Sequence, residues 1–149
     1  MPSLAIDTPV GRLTLVERDG ALARVGWMLA AEGAETPLLA EAARQIAAYF
    51  ARDLRDFDLP LAPAPTPEAA AARAAMLAIP YGRTATYGEC AAAIGSNARA
   101  FGQACGANAL PIIVPCHRVL PATGFGHYSG GEGARTKGWL LAHEGAALI

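Results

Sequence analysis

The 149-residue sequence has only three cysteines, Cys90, Cys105 and Cys116, and no two of them stand in a CxxC spacing. An odd number of thiols without paired spacing excludes a disulfide framework and argues for free thiols, one of them open to a reactive role. Histidine is as scarce, and the first 59 residues contain neither cysteine nor histidine, so no structural zinc site can be built there. No stretch approaches the roughly 18 apolar residues of a membrane-spanning helix. Residues 1–12 show neither the basic nor the apolar region of a secretion signal, so the expectation is a cytoplasmic protein without a membrane partner. Charge is sparse too. Charged residues make up 17% of the chain and leave a formal net charge of −1, far from the basic surface of a strong polyanion binder. The balance is uneven, however: residues 1–80 carry seven arginines against ten carboxylates, and residues 81–149 five Lys or Arg against three glutamates. An anionic partner is to be sought in the second half.

What is abundant is alanine, with 35 residues. The sequence is therefore less greasy than its 53% hydrophobic content implies, and it favours short helices. Leu4 and Ile6, then Leu13 and Leu15, then Leu22, Val25 and Trp27 alternate as strands do, and Asp19-Gly20 supplies a tight hairpin turn. Thr36-Pro37 starts a helix whose apolar positions, Leu38 to Phe50, recur at helical spacing. Four prolines in the eight residues from Pro60 to Pro67 mark a stiff connection. The organisation expected is an α+β chain. A small antiparallel-sheet domain with one covering helix occupies residues 1–59, a Pro-rich linker residues 60–67, and a mostly helical domain residues 68–149.

Within the second domain Thr66 caps a helix running to Ile79, and Pro80-Tyr81-Gly82 stops it. Thr86 and Glu89 have the spacing of a capping box ahead of a helix that ends at Gly95. Ser96 or Asn97 caps the next helix, through Arg99, Phe101 and Cys105 to about Gly106. The pair reads as a helix-turn-helix, although spacing alone does not separate it from an ordinary α-hairpin. Beyond it the apolar run Ile112–Val114 reads as a strand stopped by Pro115, which places Cys116 and His117 at a strand end. A thiol is a useful nucleophile only as thiolate, and an imidazole is a common means of ionising it. Adjacent strand residues face opposite ways, so direct contact between the two would require irregular backbone or a bridging water. Cys90, Cys105, Trp27 and Trp139 read as core residues, and His143 as a surface group at a helix end.

The motifs Pro115-Cys-His-Arg-Val119, Tyr128-Ser-Gly-Gly131 and Lys137-Gly-Trp-Leu-Leu-Ala-His-Glu-Gly145, preceded by Ile79-Pro-Tyr-Gly82, Thr86-Tyr-Gly88, Ala98-Arg-Ala-Phe-Gly102 and Asn108, resemble those of the O6-alkylguanine-DNA alkyltransferases. The resemblance implies direct-reversal DNA repair: one in-line displacement moves the alkyl group of O6-alkylguanine, with O4-alkylthymine as a secondary substrate, to Cys116. A thioether is a very poor leaving group, so the protein would act once, with no metal and no cofactor. Carried over residue by residue, the resemblance makes Cys116 the acceptor, kept partly ionised by an imidazole–carboxylate relay. His117 becomes its water-linked base, and Glu144 the carboxylate that orients and charges the histidine. Asn108 would fix the junction before the cysteine, and Tyr87 would donate a proton to the departing guanine. Val119, Tyr128 and Ser129 would line the base pocket, with Lys137 close by.

Double-stranded DNA carrying alkylated bases is the implied partner, engaged by a monomer through the minor groove after base flipping. Arg99 would fill the vacated place in the stack, and Ala98, Ala100 and Gly102 would let its helix approach the groove. The turn before Arg99 lacks the lysine that the family often has there, which implies weak binding and a shallow salt dependence. His127 stands where the family often has glycine or asparagine, and could touch phosphate. Three other readings compete: a silent sensor of the same fold, which Cys116 argues against; a cysteine hydrolase, which would turn over; and a transcriptional regulator, which would read sequence in the major groove.

Overall fold

A computed structural model describes residues 1–124, 126, 128 and 130–146. The chain divides into two compact units, Met1–Ala62 and a second beginning at Pro63. Among the described residues no helix is long and apolar enough to cross a membrane.

In the first unit, strands β1 (Ser3–Thr8), β2 (Gly11–Arg18) and β3 (Ala21–Gly26) form an antiparallel meander in the order β1-β2-β3. The turn between β2 and β3 is Asp19-Gly20, and both residues have positive φ, 52° and 76°, as a tight hairpin with the native twist demands. Helix α1 (Pro37–Phe50) opens on Thr36, whose side chain accepts a hydrogen bond from the Leu39 amide at 3.1 Å. Its buried face, Leu39, Ala42, Ile46 and Tyr49, packs on the sheet residues Leu13, Leu15, Leu22 and Val25. Burying each large apolar side chain stabilises by about 1.5–3 kcal/mol. The first part of the Pro-rich run is hydrogen-bonded to β3: Leu22 N–H donates to Pro60 O at 2.8 Å, and Ala62 N–H to Leu22 O at 2.9 Å. Trp27 departs from the core position expected for it. It is half-buried, and its indole N–H donates to Val10 O at 2.9 Å.

The second unit starts with α2 (Pro67–Leu77), capped by Thr66, followed by the turn that brings the chain to β4 (Ala85–Thr86). Helix α3 (Tyr87–Ala93) begins with the full capping box: Thr86 N–H donates to Glu89 Oε1 at 2.9 Å, and Glu89 N–H to Thr86 Oγ1 at 3.0 Å. Gly95, with φ 67°, turns the chain, and Asn97 accepts from the Ala100 amide to cap α4 (Ala98–Gly106). Cys90 and Cys105 are buried, each on one helix of this pair.

The strand expected at Ile112–Val114 is not formed. Asn108 organises this stretch into tight turns instead: its Oδ1 accepts from Leu110 N–H at 3.0 Å and its Nδ2 donates to Val114 O at 2.9 Å. Val114 N–H in turn donates to Leu110 O at 2.8 Å, so buried backbone groups are paired without a ladder. Ile112 takes a φ of 74°, an uncommon conformation for a β-branched residue. Pro115, at φ −81° and ψ 65°, makes an inverse γ-turn closed by Cys116 N–H to Val114 O at 2.8 Å. Cys116–Arg118 then forms one turn of 3-10 helix, and β5 (Val119–Leu120) pairs in parallel with β4. Helix α5 (Ala134–His143) closes the described chain. Trp139, expected in a core, is 39% exposed on α5 and stacks on His143 with ring centroids 5.0 Å apart; His143, expected at the surface, is buried.

Candidate active site

Helix 3-10 geometry removes the difficulty that an extended backbone would pose, because successive side chains of a tight turn do not alternate between opposite faces. Cys116 and His117 are both buried, the imidazole completely. His117 Nε2 lies 2.8 Å from Glu144 Oε2. A carboxylate only accepts, so Nε2 carries the proton and Nδ1 holds the free lone pair. Nδ1 is buried and has no hydrogen-bond partner among the described residues.

Glu144 reaches this position through the end of α5. It is the C-cap residue, and Gly145, at φ 72°, occupies the left-handed position that follows. Gly145 N–H donates to Ala142 O and Ala146 N–H to Leu141 O, both at 3.0 Å, which completes a Schellman motif. A carboxylate at a helix C-terminus faces the negative end of the dipole and needs compensation. It comes from Arg118: Nε donates to Oε1 at 2.8 Å and Nη2 to Oε2 at 3.0 Å, while Nη1 donates to Ile79 O at 2.8 Å. The Pro80-Tyr81-Gly82 turn belongs to the same cluster. A Cβ on Gly82, which has φ 80°, would stand 3.2 Å from Glu144 O.

Lys137, projecting inward from α5, is fully buried. Its Nζ donates to Val119 O at 2.7 Å and to Tyr87 Oη at 3.5 Å. Tyr87 begins α3, and a Cβ on Gly102 would stand 3.9 Å from its ring, at ordinary van der Waals distance, so α4 passes close beside the tyrosine. Ala98, Arg99 and Ala100 are not in the cluster; they lie exposed at the start of α4. Ser129 and His127 lie outside the described residues. The structure thus gathers Cys116, His117, Glu144, Asn108, Tyr87, Val119 and Lys137 around one buried point.

Electrostatics at that point depart from the expected partly ionised thiol. Burial pushes the Cys116 thiol up; a hydrogen bond from Asn108 and the charge of Lys137 pull it back, but burial prevails. The thiol at rest is therefore protonated. Burial also pushes His117 down, opposed by the hydrogen bond and charge of Glu144 and assisted by the charges of Arg118 and Lys137, so the imidazole at rest is neutral. Tyr87 is raised by burial and by the two nearby thiols, and Tyr128 is raised well above the usual phenol value, mainly by burial. A neutral thiol beside a neutral imidazole is an unreactive pair until something draws the proton across. Such a site reacts when an electrophile is presented to it, and it is quiet otherwise.

Sequence reasoning missed Arg118. The signal was present, since one arginine stands beside His117 inside a stretch from Leu110 to Leu120 that is otherwise apolar, and a buried guanidinium requires an anionic partner. It also missed the bonding of Lys137 to the Val119 carbonyl, which no local pattern reveals.

The chain matches two family models, "6-O-methylguanine DNA methyltransferase, ribonuclease-like domain" over residues 4–63 and "6-O-methylguanine DNA methyltransferase, DNA binding domain" over residues 69–146. It is 39% identical over 152 residues to a methylated-DNA–protein-cysteine methyltransferase of Methanosarcina acetivorans, covering 94% of this chain and 96% of that protein. It is 41% identical over 127 residues to the constitutive methylated-DNA–protein-cysteine methyltransferase of Bacillus subtilis, covering 76% of this chain and 77% of that protein. Among solved structures, Mycobacterium tuberculosis OGT in complex with DNA superposes with a TM-score of 0.84 at 36% identity, covering 97% of this chain and 93% of that one.

Proposed function

The chain belongs to the 6-O-methylguanine DNA methyltransferase family, and from that premise we propose that it repairs O6-alkylated guanine in DNA by moving the alkyl group to Sγ of Cys116. The observation that carries this reading is the buried Cys116 next to an imidazole whose far nitrogen is fixed by a carboxylate.

The alkylated guanine leaves the stack and presents its O6-alkyl carbon to Cys116, at an unstacking cost of a few kcal/mol. The thiol proton passes to His117 Nδ1, across one water, and the imidazolium that forms is stabilised by Glu144 at 2.8 Å. Sγ attacks the alkyl carbon; the S–C bond forms as the C–O6 bond breaks. Tyr87 donates its proton to the leaving purine, so that guanine departs neutral, and the proton lost by the thiol restores the balance through the site. Lys137 supports Tyr87 by donating to its oxygen, which leaves the phenolic proton for the base. Asn108 holds the turn that aims the sulfur. Val119, Tyr128 and Ser129 line the base pocket, and Arg99 occupies the gap in the stack with Ala98, Ala100 and Gly102 against the minor groove. No residue of this set can remove the alkyl group from sulfur, so each molecule acts once. It works as a monomer in the cytoplasm, with residues 68–149 carrying the DNA-binding and transfer functions.

Incubation with a duplex containing O6-methylguanine, followed by intact mass measurement, tests the reading. One methyl group is gained, located on Cys116 and absent in Cys116→Ala. No gain by the wild type, or an equal gain in Cys116→Ala, would overturn it. Continuous turnover would point to a hydrolase instead.

A further inference from the structure

The charge of Glu144 is divided between two partners, and the division is unequal. His117 Nε2 meets Oε2 alone, whereas Arg118 meets both oxygens, through Nε at 2.8 Å and Nη2 at 3.0 Å. The third nitrogen of the guanidinium, Nη1, is tied to Ile79 O at 2.8 Å, so the fork is anchored to backbone as well as to the carboxylate. Arg118 and Glu144 are both buried. A bidentate arginine–carboxylate pair in such surroundings fixes the carboxylate plane as well as its charge.

We propose that Arg118 is a positioning residue for the transfer reaction: its two-pronged hold on Glu144 aims Oε2 at His117 and offsets enough carboxylate charge for the histidine to rest as a neutral base. This rests on the function proposed above. A buried carboxylate whose main partner was an imidazole would draw a proton onto that imidazole, because in low dielectric an ion pair a few ångströms apart is strongly favoured over a lone buried charge. The histidine would then be charged before the thiol needed it, and no base would remain. With the guanidinium present, the carboxylate is already paired. The imidazole stays neutral, and the carboxylate still stabilises the imidazolium for the brief time the proton is there. Among the described residues, the other charged group acting on His117 is Lys137 from α5, with Cys116 its chain neighbour; Tyr128 feels the charges of Cys116 and Glu144. The positive charge of Lys137 acts in the same direction as Arg118, but Lys137 is bonded to Val119 and Tyr87 and does not orient the carboxylate.

The test is the pH dependence of single-turnover methyl transfer from an O6-methylguanine duplex, from about pH 5.5 to about pH 9, in wild type, Arg118→Met and Arg118→Lys. A general base must be unprotonated, so the rate falls on the acid side as pH drops through its pKa. In Arg118→Met that limb moves to higher pH by about one unit, and the rate on the acid limb drops by up to about tenfold, and near neutrality by a few-fold. Arg118→Lys restores charge without the fork: its limb returns most of the way, but the plateau rate at high pH stays below wild type. A loss of rate in Arg118→Met with no movement of the limb would overturn the proposal, because a purely structural role reduces the active fraction without shifting a pKa. Wild-type behaviour of Arg118→Lys would overturn the geometric part. Should Arg118→Met fail to fold, the plateau rate of Arg118→Lys decides alone, a normal plateau being the refuting outcome. If the wild type transfers no methyl group, it is the proposed function that fails. The carbamidomethylation rate of Cys116 by iodoacetamide against pH still reads Arg118 in that case, with the same displaced limb expected in Arg118→Met.

Discussion

At the scale of single residues, His117 couples reactivity and stability to pH with one sign. Burial holds its pKa in the folded protein below the value of 6.5 taken for an unperturbed imidazole. Between the two values the unfolded chain binds the extra proton and the folded one does not, so stability falls as pH drops through that window. Above it, the histidine exacts no penalty. The thermal midpoint of the wild type should decline between about pH 7 and about pH 5 more steeply than that of His117→Gln, in which this group no longer titrates; parallel declines would remove His117 as the cause. Asn108 gives a second expectation. Its side chain accepts from the buried Leu110 amide and gives the Val114 carbonyl a second donor beside Cys116 N–H, so Asn108→Ala leaves the amide unpaired and the carbonyl with one donor. At about 1–3 kcal/mol for the orphaned amide, denaturant titration should find the second unit weakened by that amount, with transfer slowed as the sulfur loses its aim. The chemistry-bearing residues were legible in sequence because their types are rare here: three cysteines and three histidines leave few combinations. Their protonation was not, since the thiol was expected partly ionised and burial, which depends on the whole packed unit, reverses that.

Elements were legible where their ends carry side-chain signals. Thr36, Thr66, Thr86 and Asn97 each cap a helix as their residue types and neighbours require. The failure came at Ile112–Val114, where a β-branched apolar run mimics a strand. The bonds made by Asn108 two residues before Leu110 and six before Val114 bend the chain instead, and such a side-chain-to-backbone competition leaves no periodic trace. Two helix ends provide a matched pair of tests. Arg52 follows α1 at φ 64° in a complete Schellman motif, with Asp53 N–H donating to Ala48 O at 2.8 Å and Arg52 N–H to Tyr49 O at 3.1 Å. Gly145 follows α5 at φ 72° in the same arrangement. A side chain there costs about 1–2 kcal/mol relative to glycine, partly offset by the greater freedom of glycine in the unfolded chain. Arg52→Gly should therefore stabilise the first unit by about 0.5–1 kcal/mol and raise its denaturation midpoint without altering the denaturant slope. Gly145→Ala meets no atom within 4 Å, so its cost is the backbone alone, about 1 kcal/mol. It should nevertheless slow methyl transfer, because the residue it strains is attached to Glu144; unchanged transfer would mean that the C-cap does not set the carboxylate.

For the whole molecule the relevant quantity is charge. Residues 1–62 hold six arginines against nine carboxylates, and residues 63–149 six Lys or Arg against four glutamates. Of the latter six, Arg118 and Lys137 are buried in the reactive cluster and cannot reach a phosphate. Arg83, Arg99 and Arg135 are exposed and Arg73 is half-buried, which sets a ceiling of four phosphate contacts. At about 0.9 per contact, the slope of log affinity against log salt is then no steeper than about −3.6, and raising salt from about 50 to about 200 mM weakens duplex binding by no more than about 150-fold. Fluorescence anisotropy on an unmodified duplex measures this directly, and a steeper loss would require cations beyond those four. The same titration separates two roles that a simple affinity measurement would merge. An arginine that pairs with phosphate releases counterions when it binds, so Arg83→Ala should weaken binding and flatten the slope by about 0.9. An arginine that fills the place of an extruded base works by stacking, so Arg99→Ala should weaken binding to lesion-bearing duplex while leaving the slope as it was. Equal flattening in both variants would make Arg99 a phosphate contact and remove it from the flipping step.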